Sequence, residues 1–398
     1  MERAREARRS GAASGWAEGR APRFGLALAA ALGLAGCDGG TDPSVAYDPE
    51  LTLEQLDDVV LSLDVGQDLL LGLDLAVATL DYYGSYALAD AVATRPERHE
   101  SLLRTLRPRR SLPMGATLTS PAHGADGRDA SFHGEVGPAA LSLPSSYVGR
   151  VLTWDPTEGY LVSGRSGAPA RGTRFVVYRM DAASGYPSEP LVEVGYLDLV
   201  DADGGVTEGV RVVMTRTTGP GRVVADYTVS LGGSGSADQG MMEVTTRGSI
   251  GEGHVVELDL EERLSWSRAA DWDELTLDYS YHRGGQAVTL RGRAESRYQA
   301  LEWETFAFEM GFFGYGPTVE LTAEIRSDDR VDGEIAREGR RAIRIGGTDS
   351  QPTFDQADGR ALSASGRWTL EQVWTAIGDL IWLTDWIVSP ADLLVLDG

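Results

Sequence analysis

"LTLDYSYH", Leu275 to His282, alternates by twos: Leu275, Leu277, Tyr279 and Tyr281 fall on one face of an extended chain, Thr276, Asp278, Ser280 and His282 on the other. Side chains of a strand point alternately to its two faces, so this stretch reads as a strand with one apolar and one wet side. "VELTAEI" repeats the pattern, with Val319, Leu321, Ala323 and Ile325 opposed to Glu320, Thr322 and Glu324. The period of two holds from about 115 to 347, with further strands expected around 150–154, 160–163, 174–180, 191–200, 207–217, 222–231, 240–249, 254–266, 287–298, 301–313 and 332–345. Strands of this one-sided kind belong to antiparallel sheets. Gly and Asp punctuate the segments every ten to fifteen residues, which leaves no room for crossover helices. "DPTEGY" (Asp155–Tyr160) and "DAASGY" (Asp181–Tyr186) share the form D-x-x-x-G-Y and read as hairpin loops in which Gly159 and Gly185 take the positive φ.

Strands of about ten residues span ~33 Å, and ten or so side by side ~48 Å. A sheet that large must curl, and its apolar face needs a second layer. The two ends of the chain supply candidates. Thr52 and Gln55 form a T-x-x-Q capping box with Leu51 and Leu56 as its hydrophobic staple, and Leu56, Val59, Val60 and Leu63 follow at helical spacing. "QDLLLGLDLAVATLDYY" continues to Gly84, so residues 51–110 read as one interrupted helix or a helical pair. The block ends in "RPERHESLLRTLRPRR", Arg95–Arg110, whose cations suit a helix C-terminus or, alternatively, anionic lipid headgroups. Near the C-terminus, "WTLEQVWTAIGDLIWLTDWIV" repeats the T-x-x-Q box at Thr369 and Gln372, and a helix is expected over 369–387. Val373, Trp374, Ile377, Leu380, Ile381, Trp382 and Trp386 make it apolar around much of its girth, so it must be covered. It docks on the sheet, closes a ligand cavity as a lid, or enters a membrane interface. The expected architecture is mainly β: a large curved antiparallel sheet or incompletely closed β-barrel over 111–398, with an N-terminal helical segment and the C-terminal helix packed on the sheet.

Composition narrows function by exclusion. The 398 residues carry 36 basic against 60 acidic side chains, a net charge of −24. Such a surface repels nucleic acid. The chain contains no Lys and no Asn, which removes Schiff-base and Walker A lysines and N-glycosylation. A single cysteine, Cys37, rules out an intramolecular disulfide and a thiolate zinc cluster.

That cysteine closes a distinctive run. Six arginines within residues 1–23 precede the uncharged "FGLALAAALGLAG", Phe24–Gly36, a charged n-region followed by an h-region. A dozen or so residues match a signal-peptide core and fall short of the ~20 a spanning helix needs. The run ends in Leu34-Ala35-Gly36-Cys37, which resembles the lipobox of bacterial lipoproteins. The resemblance implies cleavage after Gly36, a Cys37 acylated with diacylglycerol and palmitate, and attachment to a membrane of the cell envelope outside the cytoplasm. Residues 1–36 are then a signal peptide, and their removal leaves 30 basic against 57 acidic residues. Residues 37–50, Gly- and Pro-containing and polar, read as a tether. Asp38 resembles the residue that retains enteric lipoproteins in the inner membrane.

Local catalytic motifs are missing: there is no G-x-S-x-G, H-E-x-x-H, P-loop or strand-linked GxGxxG. "DADGG", Asp201–Gly205, has no oxygen ligands at the first and twelfth positions of a calcium loop, where Leu199 and Val210 would stand, and reads as a turn. His123, His133, Asp126 and Asp129 lack metal-ligand spacing. Glu302 and Glu304 alternate onto one strand face ~6.6 Å apart, within glycosidase range, as chance pairs do in an acidic chain. No cofactor and no metal are expected. The layout looks like the half-barrel lipid carriers of bacterial envelopes, the lipoprotein-localisation factors and mycobacterial lipid-binding lipoproteins. On that likeness an apolar ligand would be lined by Leu277, Tyr279, Leu290, Trp303, Phe306, Leu321 and Trp382. The sequence thus leaves a non-enzymatic module binding an apolar ligand or an envelope protein, a filled-core structural lipoprotein, and an extracytoplasmic hydrolase as open readings.

Overall fold

The structure, a computed structural model, describes residues 47–80, 146–181, 185–202, 208–217, 221–235, 238–252, 255–297, 303–314 and 316–395. Cys37 and its flanks, the Arg95–Arg110 block, His123, His133 and Glu302 lie outside the described residues.

Two helices come first, α1 (Pro49–Leu63) and α2 (Gln67–Leu80). Asp48 caps α1, its carboxylate accepting from the Glu50 amide at 3.1 Å, and Pro49 opens the first turn where its missing N–H costs nothing. The expected capping box at Thr52 is therefore displaced: Thr52 and Gln55 lie inside the helix on its buried side, because a spacing of three also repeats along one helical face. The same holds at the other end. The helix α3 (Ala364–Val388) starts at Ser363, whose hydroxyl accepts from the Gly366 amide at 3.0 Å, and the Thr369 hydroxyl donates back to the Ser365 carbonyl. A short 3-10 turn, η1 (Ser389–Ala391), and α4 (Asp392–Val395) follow.

Between them lies one sheet of fifteen strands: β1 (Val151–Asp155), β2 (Gly159–Val162), β3 (Gly172–Tyr178), β4 (Glu193–Asp201), β5 (Glu208–Arg216), β6 (Arg222–Gly235), β7 (Gln239–Ile250), β8 (Val256–Ser267), β9 (Trp272–Arg283), β10 (Gln286–Ser296), β11 (Thr305–Phe313), β12 (Val319–Arg326), β13 (Val331–Arg337), β14 (Arg340–Gly347) and β15 (Pro352–Gln356). From β3 to β15 each strand pairs antiparallel with the next. The sheet does not close, and β15 and β2 are its edges. The single strand expected over 332–345 is two, because Glu338 and Gly339 both take positive φ, 53° and 72°, in a two-residue turn between Arg337 and Arg340. The strand expected from 301 begins at Thr305, and β15 was not expected at all. Antiparallel order also fails once: β2 folds back along β1, so β3 joins the other side of β1 in parallel, with Leu152 beside Phe175. Parallel strands are normally covered on both faces. Here a small outer cluster of Val151, Val176 and Tyr178, with Trp154, Ala168 and Tyr196 against it, provides the second cover.

The D-x-x-x-G reading of the β1–β2 turn holds. Asp155 accepts from the Thr157 and Glu158 amides at 2.8 and 3.1 Å, and Gly159 has φ +83°.

Cross-strand partners form unbroken rows on the inner face. The row through Tyr279 runs Val210, Val229, Thr246, Leu260, Tyr279, Leu290, Met310, Leu321, Ile335 and Ile343, each 3 % exposed or less. The helices lie against this face. At ~1.5 Å per residue, α3 is ~37 Å long, close to the ~43 Å that nine interstrand spacings from β15 to β6 occupy. Its contacts follow that path: Trp374 Nε1 donates to the Asp349 carbonyl, between β14 and β15, at 3.2 Å, Thr384 meets Tyr281 of β9, and η1 touches β5 and β6. α1 runs beside α3 along the rim, where Asp58 pairs with Arg283 and the Val65 carbonyl accepts from Arg216. α2 continues onto β3 and β4, with Asp68 accepting from the Met180 amide at 2.8 Å. No helix among the described residues is long and apolar enough to cross a membrane.

Candidate functional site

Period two and in-register pairing bring the expected lining residues together on the inner face. Tyr279, Leu290 and Leu321 share one row; Leu277 belongs to the next and Phe306 to the one beyond it. All five are at most 4 % exposed, as is Trp303 just before β11. Trp382, on α3, is partly buried and lies 5.3 Å from Trp386 between ring centroids. These side chains face the chain's own helices. Phe308, one row from Phe306, stands 6.0 Å from Trp374 of α3, and the rings of Phe306 and Phe308 stack at 5.2 Å. Leu370, Ile377, Leu380 and Ile387 of α3 are fully buried against this surface.

Polar groups occur on the inner face as well. Glu262 follows the inward phase of Leu258, Leu260 and Leu264 in β8 and accepts from the Tyr279 hydroxyl. Tyr281 bonds Thr384 at 2.6 Å; because the Thr384 hydroxyl already donates to the Leu380 carbonyl, the phenol is the donor. Burial pushes the Tyr281 phenol well above its ordinary range, an effect opposed by the Thr384 bond and reinforced by the Glu262 charge. Burial likewise raises Tyr160 and Tyr227. Of the three, Tyr281 donates to Thr384 and Tyr160 donates to the Val176 carbonyl at 3.0 Å. Tyr227 Oη and Thr246 Oγ1 are buried and without hydrogen-bond partners among the described residues. Sequence reasoning missed Glu262, although its phase in "VELDLEERL" points it inward.

The outer face is built of ion pairs. Arg211 holds Asp226 through two bonds of 2.6 and 2.7 Å, Arg247 meets Asp259 at 3.0 Å, and Arg263 reaches Glu243 and Glu261 at 2.9 and 2.8 Å. A depression of about 470 Å³ crosses β10–β13, where Ala307 and Thr322 are shorter than the flanking Arg291, Arg293, Glu309, Glu324 and Asp332. Its cations are engaged: Arg293 holds Glu274 at 2.5 Å and Glu295 at 2.7 Å, and Arg291 lies 3.6 Å from Asp278. Glu304 is exposed, precedes β11 and pairs with Arg297 at 3.2 Å. Asp201, in the stretch read as a turn, ends β4 and pairs with Arg171 at 2.6 Å. Among the described residues no group of three or more His, Cys, Asp or Glu is arranged to hold a metal ion.

Comparison of the chain with protein-family models, with curated proteins and with solved structures gives no match in any of the three.

Proposed function

We propose that this protein is a non-enzymatic lipoprotein of a bacterial cell envelope, held at a membrane through Cys37, whose curved sheet is an interaction module with a filled trough. The anchor rests on the n-region, the short apolar run and the closing Leu34-Ala35-Gly36-Cys37. The interaction reading rests on one observation above all: the inner-face residues that an apolar ligand would need are packed against α3, with Leu290 and Phe306 at 0 % exposure. A carrier needs empty apolar volume, whereas close packing of this kind is that of a protein interior. The surfaces left for partners are the outer face and the sheet edges.

Two experiments test the two parts separately. Labelled palmitate should enter the wild-type chain and not Cys37→Ala; label retained in the variant sinks the anchor. Native mass spectrometry of the Cys37→Ala chain should return the mass of polypeptide alone, as one copy or two, with no added lipid. A stoichiometric co-purified lipid would replace the filled-trough reading with that of a carrier.

A further inference from the structure

We propose that β2, the open edge of the sheet, is a homodimer interface: two copies of this chain pair β2 to β2, antiparallel, about a two-fold axis at Leu161. The register dictates which backbone groups are free. The Ser163 amide donates to the Val151 carbonyl, and Thr153–Leu161 and Asp155–Gly159 are in phase with that bond. In an antiparallel ladder the intervening residues, Tyr160 and Val162, turn N–H and C=O away from β1. No backbone group among the described residues receives them. Two such free residues separated by one form a self-complementary set: Tyr160 of one copy opposes Val162 of the other, twice, giving four N–H···O bonds. Leu161 then meets its own copy on the outer face, and Val162 extends the inner apolar row that passes through Leu152 and Phe175.

The side chains fit that role. Leu161 and Val162 are 40 % and 45 % exposed, and "GYLV" carries neither charge nor proline. Edge strands without such guards pair with other strands. The opposite edge differs: β15 opens with Pro352, carries Asp355 and buries Phe354 at 4 % exposure. One open and one guarded edge give a closed dimer and no fibre. The uncharged strand is also where two chains of net charge −24 approach with least repulsion, so association should strengthen with salt.

This assignment deepens the interaction-module reading by naming the partner, and it is tested without the anchor, so the two fail separately. In the full-length Cys37→Ala chain, Leu161→Cys should oxidise to a disulfide-linked dimer, since directly opposed non-hydrogen-bonded residues have Cβ atoms ~4.5–5.5 Å apart. Thr353→Cys on the guarded edge should not. In sedimentation at rising concentration, Leu161→Glu and Leu161→Arg alone should associate at least tenfold more weakly than the Cys37→Ala parent, and their mixture should recover the parental dimer. Val162→Pro deletes an outward N–H while sparing the β1 ladder, and should weaken the dimer as much. A parent that stays monomeric to millimolar concentration, a Leu161→Glu chain that dimerises like the parent, or crosslinking at 161 no greater than at 353 overturns the proposal. Should Val162→Pro fail to fold, the charge-swapped pair still decides.

Discussion

Gly72 sits within α2, where exchange for alanine ordinarily stabilises a helix by about 1 kcal/mol. The structure reverses the sign. A Cβ at this position would stand 2.8 Å from Val177 Cγ1 and 3.1 Å from Cγ2. Val177 is on β3 at 0 % exposure, so its methyl groups have nowhere to turn and α2 must lift from the sheet. Overpacking of this kind costs about 1–3 kcal/mol, which exceeds the helix gain. The expected net effect of Gly72→Ala is a loss of about 1 kcal/mol. Val177→Ala removes both offending methyls, and in that background the same glycine substitution should stabilise by about 1 kcal/mol. The two effects then couple by about 2 kcal/mol, within the range seen for residues in contact. Urea unfolding followed by tryptophan fluorescence measures all four chains, with the midpoint as readout and an unchanged slope as the control that the unfolded state is the same. A Gly72→Ala chain more stable than wild type, or additive effects across the cycle, would refute the close packing of α2 on β3.

At the Tyr281–Thr384 contact the two halves should differ. Tyr281→Phe removes a donor and leaves a hydroxyl that still donates to Leu380, at about 1 kcal/mol; Thr384→Val orphans a buried phenol and should cost more, about 1–3 kcal/mol, in the same urea assay. Gly248→Ala should be among the most damaging single changes on the sheet, because φ is +149° and the new Cβ would lie 2.4 Å from the Tyr227 Cα; retained native circular dichroism and an unchanged urea midpoint would contradict this. The hydrogen bonds of Arg211 hold the Asp226 carboxyl below its ordinary 3.8. A depressed carboxyl stabilises the fold above its unfolded value and loses that contribution as pH falls through the folded one. Arg211→Gln should therefore flatten the dependence of stability on pH below about pH 4, by no more than about 0.5 kcal/mol for so exposed a pair.

Period-two alternation made the sheet legible because only one of its faces is buried. Where a strand is covered on both faces, as in "TRFVVY" of β3, alternation vanishes, and with it the signal that β1 and β3 run parallel. The capping boxes misled for a related reason. T-x-x-Q marks a spacing of one helical turn, which serves a helix start and a helix interior equally, and only Asp48 and Ser363 in their extended conformations tell the two apart. The Glu338–Gly339 turn escapes pattern reading because glutamate, unlike aspartate at Asp271 and Asp329, is an uncommon occupant of positive φ. As to the candidate site, phase alone placed Leu277, Tyr279, Leu290, Phe306 and Leu321 on the inner face. Whether that face encloses a void or a helix is a tertiary matter, settled by the length of α3 and by where its Trp374 and Thr384 fall.

The same length match constrains what the surface is for. A helix nearly as long as nine interstrand spacings fills the trough from β15 toward β6, while α1 and α2 carry the cover onward to β3 and β4. The inner face is thus used by the chain itself. On the outer face, arginines such as Arg211, Arg263 and Arg293 are closed on neighbouring carboxylates, and an exposed ion pair of this sort adds little binding energy because a partner must first compete with it. Backbone groups at an unguarded edge face no such competitor except water. Of the surfaces the fold leaves accessible, the short strand from Gly159 to Val162 is therefore where association gains most per residue ordered, and Leu161 is where that expectation is most directly broken.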